Sequence, residues 1–417
     1  MSIIGPASDY ASTLRHILWR AGLAMVLLCG VAPAAQAQTF SILHTFMGAE
    51  GCNPIGGPTI DRTGNLYGTT SGCGGGAGTV FKLTHAGSGW VVDTLYTFTG
   101  DDGSDPRAGV VFGPDGALYG TTSGRTEGGL LGTVFKLRPP NNPCHSISCR
   151  WNLTALYDFT DVGAGSQPGY GNVAFDAASN VYGTTVVGGT NGAGTVYKLT
   201  HSNGGRTQSV LYSFGTSDDG GYFPYGGVVL DGAGNVYGTT DAGGAYGGGV
   251  LFQLTQVGSS WTETVLHNFG NGDGLHPVGA PIMDQQGNLY GTTSSGPGDQ
   301  TGGTVYELQR TGDSWTYSVL AILPALPGTE GPVGALTMDG AGNLYGTSSK
   351  GGSNGYGSVF KLTRSGGTWI YTDLHDFNNQ DGAYPYGSVA RDAQGNIYGT
   401  TYSGGGAGHG EAWMITP

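Results

Sequence analysis

Gly64-Asn65-Leu66-Tyr67-Gly68-Thr69-Thr70 decides the fold, because the chain keeps returning to it. Near copies run from Gly116 to Thr122, Ser179 to Thr185, Gly234 to Thr240, Gly287 to Thr293, Gly342 to Ser348 and Gly395 to Thr401. The seven central tyrosines are Tyr67, Tyr119, Tyr182, Tyr237, Tyr290, Tyr345 and Tyr398, at intervals of 52 to 63 residues. A period of this length marks a repeat architecture.

The fourth copy shows what one unit contains. Gly226 to Leu230 is a short apolar run, and Asp231-Gly232-Ala233-Gly234 is turn chemistry. Asn235 to Thr240 is β-branched and aromatic, a glycine-rich loop follows, and Val250 to Thr255 reads as another strand. Trp261 to Phe269 is the fourth. Short β-rich runs bounded by Gly, Asp, Asn and Ser are strand signals, and four antiparallel strands per repeat make a propeller blade. A proline precedes the turn aspartate by about one strand length, as at Pro54, Pro106, Pro224, Pro277, Pro332 and Pro385. Proline at a strand's first residue forfeits no ladder bond, so each is expected to open strand one.

The two ends of the array are out of phase. Phe40 to Phe46 matches a fourth strand, whereas Gly410 to Ile415 matches a third. Pairing them closes the ring and removes an open sheet edge. The expected fold is therefore all-β: a seven-bladed β-propeller over residues 38–417, with the N-terminal strand completing the last blade. A membrane β-barrel needs strands of about 9–11 residues, longer than several here.

Composition narrows the function. Glycine accounts for 83 of 417 residues, and the glycines lie at fixed offsets between apolar segments, as turns do. Only 11% of residues are charged, with 16 Lys plus Arg and a net charge of −13. Such a chain is poorly suited to nucleic acid, whose binding depends on phosphate neutralisation. Arg15, His16 and Arg20 precede an apolar run, Ala21 to Val31, and Ala35-Gln36-Ala37 is an A-x-A cleavage site. Residues 1–37 thus read as a signal peptide, too short to span a bilayer. The expectation is an exported, periplasmic or extracellular monomer without a membrane span.

Export makes disulfides plausible. The cysteines beyond the leader are Cys52, Cys73, Cys144 and Cys149, with no C-x-x-C pair. Antiparallel order puts Cys52 and Cys73 in two loops on one face, and Cys144 and Cys149 together in an insertion on the other. That favours the pairs Cys52–Cys73 and Cys144–Cys149.

The unit Leu-Tyr-x-Phe, Asp-Gly, Pro-x-Gly, Asp-x-x-Gly-Asn-Leu-Tyr-Gly-Thr-Thr, Gly-Thr-Val-Phe-Lys-Leu resembles the GloVer-type tandem repeat of exported bacterial proteins. The likeness covers about residues 40–417. It implies a propeller-like exported protein and carries no catalytic residues across. Members of that family are often described by alternative C-terminal anchors. This chain ends Met414-Ile415-Thr416-Pro417, without such a tail.

Candidate chemistry is sparse. The Asp-x-x-Gly-Asn turns have metal-ligand spacing, but Asp and Asn cap such turns through their own backbone. An acid followed by glycine precedes strand one at Glu50, Asp102, Asp219, Asp273, Glu330 and Asp381, with Asp161 in the third copy. Turn chemistry is the plain reading. The functional one is a ring of carboxylates around the mouth, binding Ca²⁺ through oxygen ligands or a cationic partner. No cofactor is required. There is no Gly-Lys pair and hence no P-loop. Gly351-Gly352-Ser353-Asn354-Gly355 matches a nucleophile elbow by letter only, since no helix follows. His44, His267 and His375 occupy the place of Tyr96, Tyr157 and Tyr212 and read as packing; His276 and His409 lie in mouth-side loops. Trp90, Trp151, Trp261, Trp315 and Trp369 open strand four and read as packing too.

Two functions follow. The first is a binding or interaction module using loops on one face, with an unknown glycan or protein ligand and no catalytic residues. The alternative is a glycan- or ester-processing enzyme in the mouth. Its sector would be blade two, the least regular, with Asp101, Asp102, Asp105, Arg107, Arg125 and Glu127.

Overall fold

Each Leu/Val/Ile-Tyr-Gly-Thr-Thr/Ser segment forms the five-residue second strand of a four-stranded antiparallel sheet. There are seven such sheets, arranged as the blades of a propeller. The computed structural model describes residues 38–124, 131–140, 150–202, 205–215, 220–270, 272–299, 302–324 and 331–417, and Thr39–Thr416 form one compact unit. The leader, Cys144, Cys149, Arg125, Glu127, Asp219 and Glu330 lie outside the described residues. Among the described residues no helix is long and apolar enough to cross a membrane.

Blade one runs Thr59–Ile60, Leu66–Thr70, Thr79–Ala86 and Gly89–Thr97. Blade seven takes Ala390–Arg391, Ile397–Thr401 and Glu411–Thr416 from the end of the chain, and Thr39–Thr45 from the beginning. The register of that joint pairs Thr39 with Thr416 and Thr45 with Glu411.

The invariant letters of the repeat have separate jobs inside the blade. Gly68 lies opposite Phe81, and a Cβ there would sit 2.5 Å from the ring. The glycine is therefore the room that the buried aromatic of strand three fills; Gly399 does the same for Trp413 in blade seven. Thr70 and Thr79 hydroxyls bond each other at 2.7 Å where both are buried. Asp61 accepts from the Thr63 and Asn65 amides, the Asn65 side chain and the Tyr67 hydroxyl. Asp176, Asp231, Asp284 and Asp339 repeat this hub. Burial works to raise the Asp61 carboxyl, but the hydrogen bonds from Asn65 and Thr63 outweigh it and hold it at about 2. The turn reading of Asp-x-x-Gly-Asn thus has an added member, the repeat tyrosine.

Between blades, the tryptophans carry the packing. Trp151 of blade two lies 6.3 Å from Tyr67 of blade one, Trp315 lies 6.1 Å from Tyr237, and Trp369 lies 6.5 Å from Tyr290. Nearer the axis, backbones touch. A Cβ on Gly56 would fall 2.1 Å from the Gly109 amide nitrogen, and one on Gly387 would fall 2.3 Å from that of Gly57. The sequence reading of proline needs correcting here. Strand one begins five residues after the proline, at Thr59 rather than Pro54 and at Val229 rather than Pro224. The intervening glycines press against the neighbouring blade's backbone, which replaces the sheet ladder on that stretch.

Candidate functional site

The residue before each of six prolines has an unusual backbone. Asn53, Asp105, Gln167, Phe223, His276 and Tyr384 adopt φ of 55 to 61°. This left-handed region costs a non-glycine residue roughly 1–3 kcal/mol and persists only when the surroundings impose it. The imposing contacts recur. The Asp105 amide donates to the Ala77 carbonyl of blade one at 3.0 Å, and its carbonyl accepts from Ser123 of its own blade at 3.2 Å. The Asn53 amide donates likewise to His409 of blade seven at 2.9 Å, while its carbonyl accepts from Ser71. Each of these residues is a backbone bridge from one blade to the next.

This bridge also aims side chains. In six blades the residue just after the proline, together with Asn53, Asp105 and His276 before it and Ser71, Asp241, Ser294 and Tyr402 after Gly-Thr-Thr, walls a central cavity of about 1130 Å³. Asp105 and Arg107 enter it from blade two, Tyr170 from blade three, Tyr225 and Asp241 from blade four, and Tyr386 and Tyr402 from blade seven. Blades five and six add Val278, Ala280, Val333 and Ala335, with His276, Ser294 and Ser295 as the polar groups of that arc.

The charged arc is preassembled. Arg107 Nε donates to Asp105 at 2.7 Å and Nη1 donates to the Tyr170 hydroxyl at 2.7 Å. The guanidinium also lies over the Tyr170 ring, 4.9 Å from its centroid. Burial tends to lower the Arg107 pKa, and the Asp105 charge more than reverses this. Tyr170 meets Tyr225 edge to face at 5.2 Å, and Tyr386 meets Tyr402 at 5.6 Å. His276 Nδ1 lies 3.4 Å from an Asp241 carboxylate oxygen.

The acids singled out from the sequence go elsewhere. Glu50, Asp102, Asp273 and Asp381 turn back onto their own loops. Each accepts from the amide three residues earlier: Met47, Thr99, Gly270 and Asn378. Each also meets the side chain six residues earlier, namely His44 at 3.0 Å, Tyr96 at 2.5 Å, His267 at 2.6 Å and His375 at 3.1 Å. Asp161 caps a short 3-10 turn by accepting from Gly163. For Glu50, burial acts to raise the carboxyl, but the Met47 and Glu50 amides and His44 hold it below the usual value. Of these five acids none walls the central cavity.

Cys52 and Cys73 form a disulfide that ties the loop before strand one to the loop after strand two. His409 reaches this bond from blade seven, its ring nitrogen within 4.8 Å of both sulfurs. That is the only set of three His, Cys, Asp or Glu ligand atoms this close among the described residues, and its two sulfurs are spent on each other. In blade two, Asp105 and Arg107 reach the cavity, whereas Asp102 faces its own loop and Asp101 is exposed.

The profile of the Gloeobacter/Verrucomicrobia repeat matches residues 31–228, 146–321 and 224–417. The chain belongs to the Gloeobacter/Verrucomicrobia repeat family. No curated protein sequence matches this repeat protein. Among solved structures, it is similar to the extracellular domain of a one component system from B. thetaiotaomicron, with a TM-score of 0.54 at 11% identity. That match covers 89% of this chain and 39% of the other, so this repeat protein spans well under half of that relative. It is also similar to a fungal alcohol oxidase of the AA5 family in complex with copper (TM-score 0.53, 14% identity, 91% and 76% covered). A third is a PL25 ulvan lyase bound to a GlcA–Rha3S unit (TM-score 0.51, 10% identity, 88% and 94% covered). At such identities the likeness shows the fold alone.

Sequence reasoning missed Tyr170, Tyr225, Asp241, Tyr386 and Tyr402. The signal was variation between repeats. The position after the proline holds Ile55, Arg107, Tyr225, Val278, Val333 and Tyr386 in six blades. The position after Gly-Thr-Thr holds Ser71, Ser123, Val186, Asp241, Ser294, Ser349 and Tyr402. These two places change while the Pro, Gly, Asn, Tyr and Thr around them stay.

Proposed function

We propose that this repeat protein is an exported, monomeric binding module that takes its ligand in the central cavity. The observation that carries this reading is where the seven repeats differ. The inner half of the blades keeps its framework, and the post-proline position, which walls the cavity in six blades, varies from Ile55 to Arg107, Tyr225, Val278, Val333 and Tyr386. Variation held against a constant scaffold is what a ligand site requires, because a packing role would be the same in each blade. The four carboxylates Glu50, Asp102, Asp273 and Asp381 support the same choice, since each already accepts hydrogen bonds from its own loop. Export is supported by the Cys52–Cys73 disulfide and by the leader read in residues 1–37.

The enzyme reading asked for acids brought within reach of one another in a deep pocket. The cavity acids Asp105 and Asp241 sit instead with their own cationic or imidazole neighbours, Arg107 and His276. That arrangement favours binding over acid–base chemistry, which needs a pair of titratable groups pushed apart in pKa.

A glycan array probed with residues 38–417 tests the site. Signals removed by Tyr225→Ala with Tyr386→Ala, and kept by Asp102→Asn with Asp381→Asn, are expected. Signals that follow the rim pair and ignore the cavity pair would place the binding surface on the loops.

A further inference from the structure

We infer that the cavity ligand is an uncharged saccharide, an inference that rests on the cavity being the binding site. A sugar ring has two kinds of surface: apolar C–H faces that lie on aromatic rings, and an edge of hydroxyls that both donate and accept. A site for it must offer aromatic surface next to donors and acceptors in fixed positions. Tyr170, Tyr225, Tyr386 and Tyr402 supply aromatic surface and hydroxyls along the cavity wall. Beside them, Asp105 and Arg107 form one unit with a carboxylate acceptor and a guanidinium donor held 2.7 Å apart. Neighbouring hydroxyls on a pyranose present a donor and an acceptor at comparable separation, so one such unit reads two adjacent hydroxyls.

The unit is rigid before any ligand arrives. Asp105 is fixed by its left-handed backbone bridge, and Arg107 is fixed by Asp105 on one side and the Tyr170 hydroxyl and ring on the other. Two of the five guanidinium donors are used in these bonds. Preorganisation of this kind spares the side-chain ordering that would otherwise weaken binding.

Charge selects against acidic sugars. Among the described residues, the guanidinium of Arg107 is the one permanent cation on the cavity wall, and Asp105 already neutralises it. Asp241 is a second carboxylate on the same wall, and the whole chain carries −13. A uronate or sulfate would enter with no unpaired cation to meet it, and would leave at least one charge unpaired. Phosphorylated ligands fail for the same reason. An extended peptide would instead seek a free sheet edge, and the cavity wall is made of inner segments bonded to their neighbours.

The experiment is titration calorimetry of residues 38–417 against cellohexaose, xylohexaose and mannohexaose, with tri-galacturonate and a sulfated disaccharide alongside. At least one neutral oligomer binds. Arg107→Gln and Tyr225→Ala each weaken it tenfold or more, with melting curves close to wild type, and Asp102→Asn leaves it unchanged. Raising salt from about 50 to about 500 mM leaves the neutral titration unaltered, because no ion pair forms with the ligand. Binding of the acidic sugars alone, still abolished by Tyr225→Ala, overturns the neutral class and leaves the cavity as the site. Binding that ignores both Tyr225→Ala and Tyr386→Ala, or no binding from either panel, overturns the cavity reading itself.

Discussion

Trp90 of the first blade lies edge-on to Tyr398 of the seventh, with ring centroids 6.2 Å apart. Trp151 and Tyr67 meet one blade on at 6.3 Å, with the rings tilted. The junction where the chain's two ends meet is therefore built like the others. Phe46, from the closing strand's end, is fully buried and meets Phe81 at 5.1 Å; Phe98 meets Phe135 at 5.3 Å in the next junction. Phe46→Ala and Phe98→Ala should each cost about 3–5 kcal/mol in urea unfolding. Deleting residues 38–46 should abolish the single cooperative melt. A Phe46→Ala protein within about 1 kcal/mol of wild type would show that the ring does not depend on its closing strand.

The inner segments leave no room for a side chain. Gly387→Ala places a carbon 2.3 Å from the Gly57 amide nitrogen, whereas Gly232→Ala meets nothing within 4 Å. The first should destabilise by about 2 kcal/mol or more and the second by less than about 0.5 kcal/mol. Equal melting temperatures for the two variants would contradict the close approach of blades seven and one.

Acid should weaken the turns in a defined window. The Asp61 carboxyl is held at about 2, against 3.8 ordinarily, and Asp176, Asp231 and Asp339 are lowered too. A carboxylate with a depressed folded value contributes stability above its unfolded value and loses it as pH falls through the folded one. For Asp61 that loss runs from about pH 4 to about pH 2. Asp61→Asn should lower the urea midpoint at pH 7 and make it less sensitive to pH in that window. An unchanged slope would mean the hub does not titrate with folding.

His267 gives a second, higher window. Its burial pushes the imidazole below its ordinary value, partly offset by Asp273. A histidine kept neutral by folding contributes above about 6.5, and its contribution fades as pH drops through the lowered value. Tyr96 fills the equivalent place beside Asp102 and donates to it at 2.5 Å. His267→Tyr should therefore fold, keep the Asp273 clamp and flatten the loss of stability that sets in as pH falls below about 6.5. If it unfolds, the stacking of His267 on Tyr317 at 3.7 Å matters more than the clamp.

The Cys52–Cys73 bond closes a segment with a sequence separation of 21. Cys52→Ser with Cys73→Ser should cost roughly 2–4 kcal/mol. Unmodified protein should show no reactive thiol at either position after unfolding without reductant. Labelling of Cys52 or Cys73 under those conditions would rule the bond out.

Much of this architecture could be read from letters alone. The seven Tyr-Gly-Thr segments set the blade count, and the out-of-phase ends at Phe40 to Phe46 and Gly410 to Ile415 set the closure. Trp90 and its equivalents read as packing, and they pack. The site was harder for a physical reason. Repeats advertise what they share, and what they share is scaffold: Asp61, Asn65 and Gly68 serve the blade itself, and Tyr67 serves both its blade and the junction with the next. Tyr225, Arg107 and Tyr402 differ from their counterparts, and only the inward course of the post-proline segment shows that these differences meet in one cavity. The described acid-glycine pairs also belong to what the repeats share. The six-residue step from His44 to Glu50, repeated at Tyr96 and Asp102, was already present in the sequence and marks a local clamp.

The left-handed residue before each proline joins blade to blade through its amide and carbonyl, and asks nothing of its side chain. Asn53, Asp105, Gln167, Phe223, His276 and Tyr384 all satisfy it. The joint between blades thus holds whichever side chain stands there. A lineage carrying this repeat can exchange that side chain one leaf at a time, by single substitutions, without re-solving how the wheel holds together.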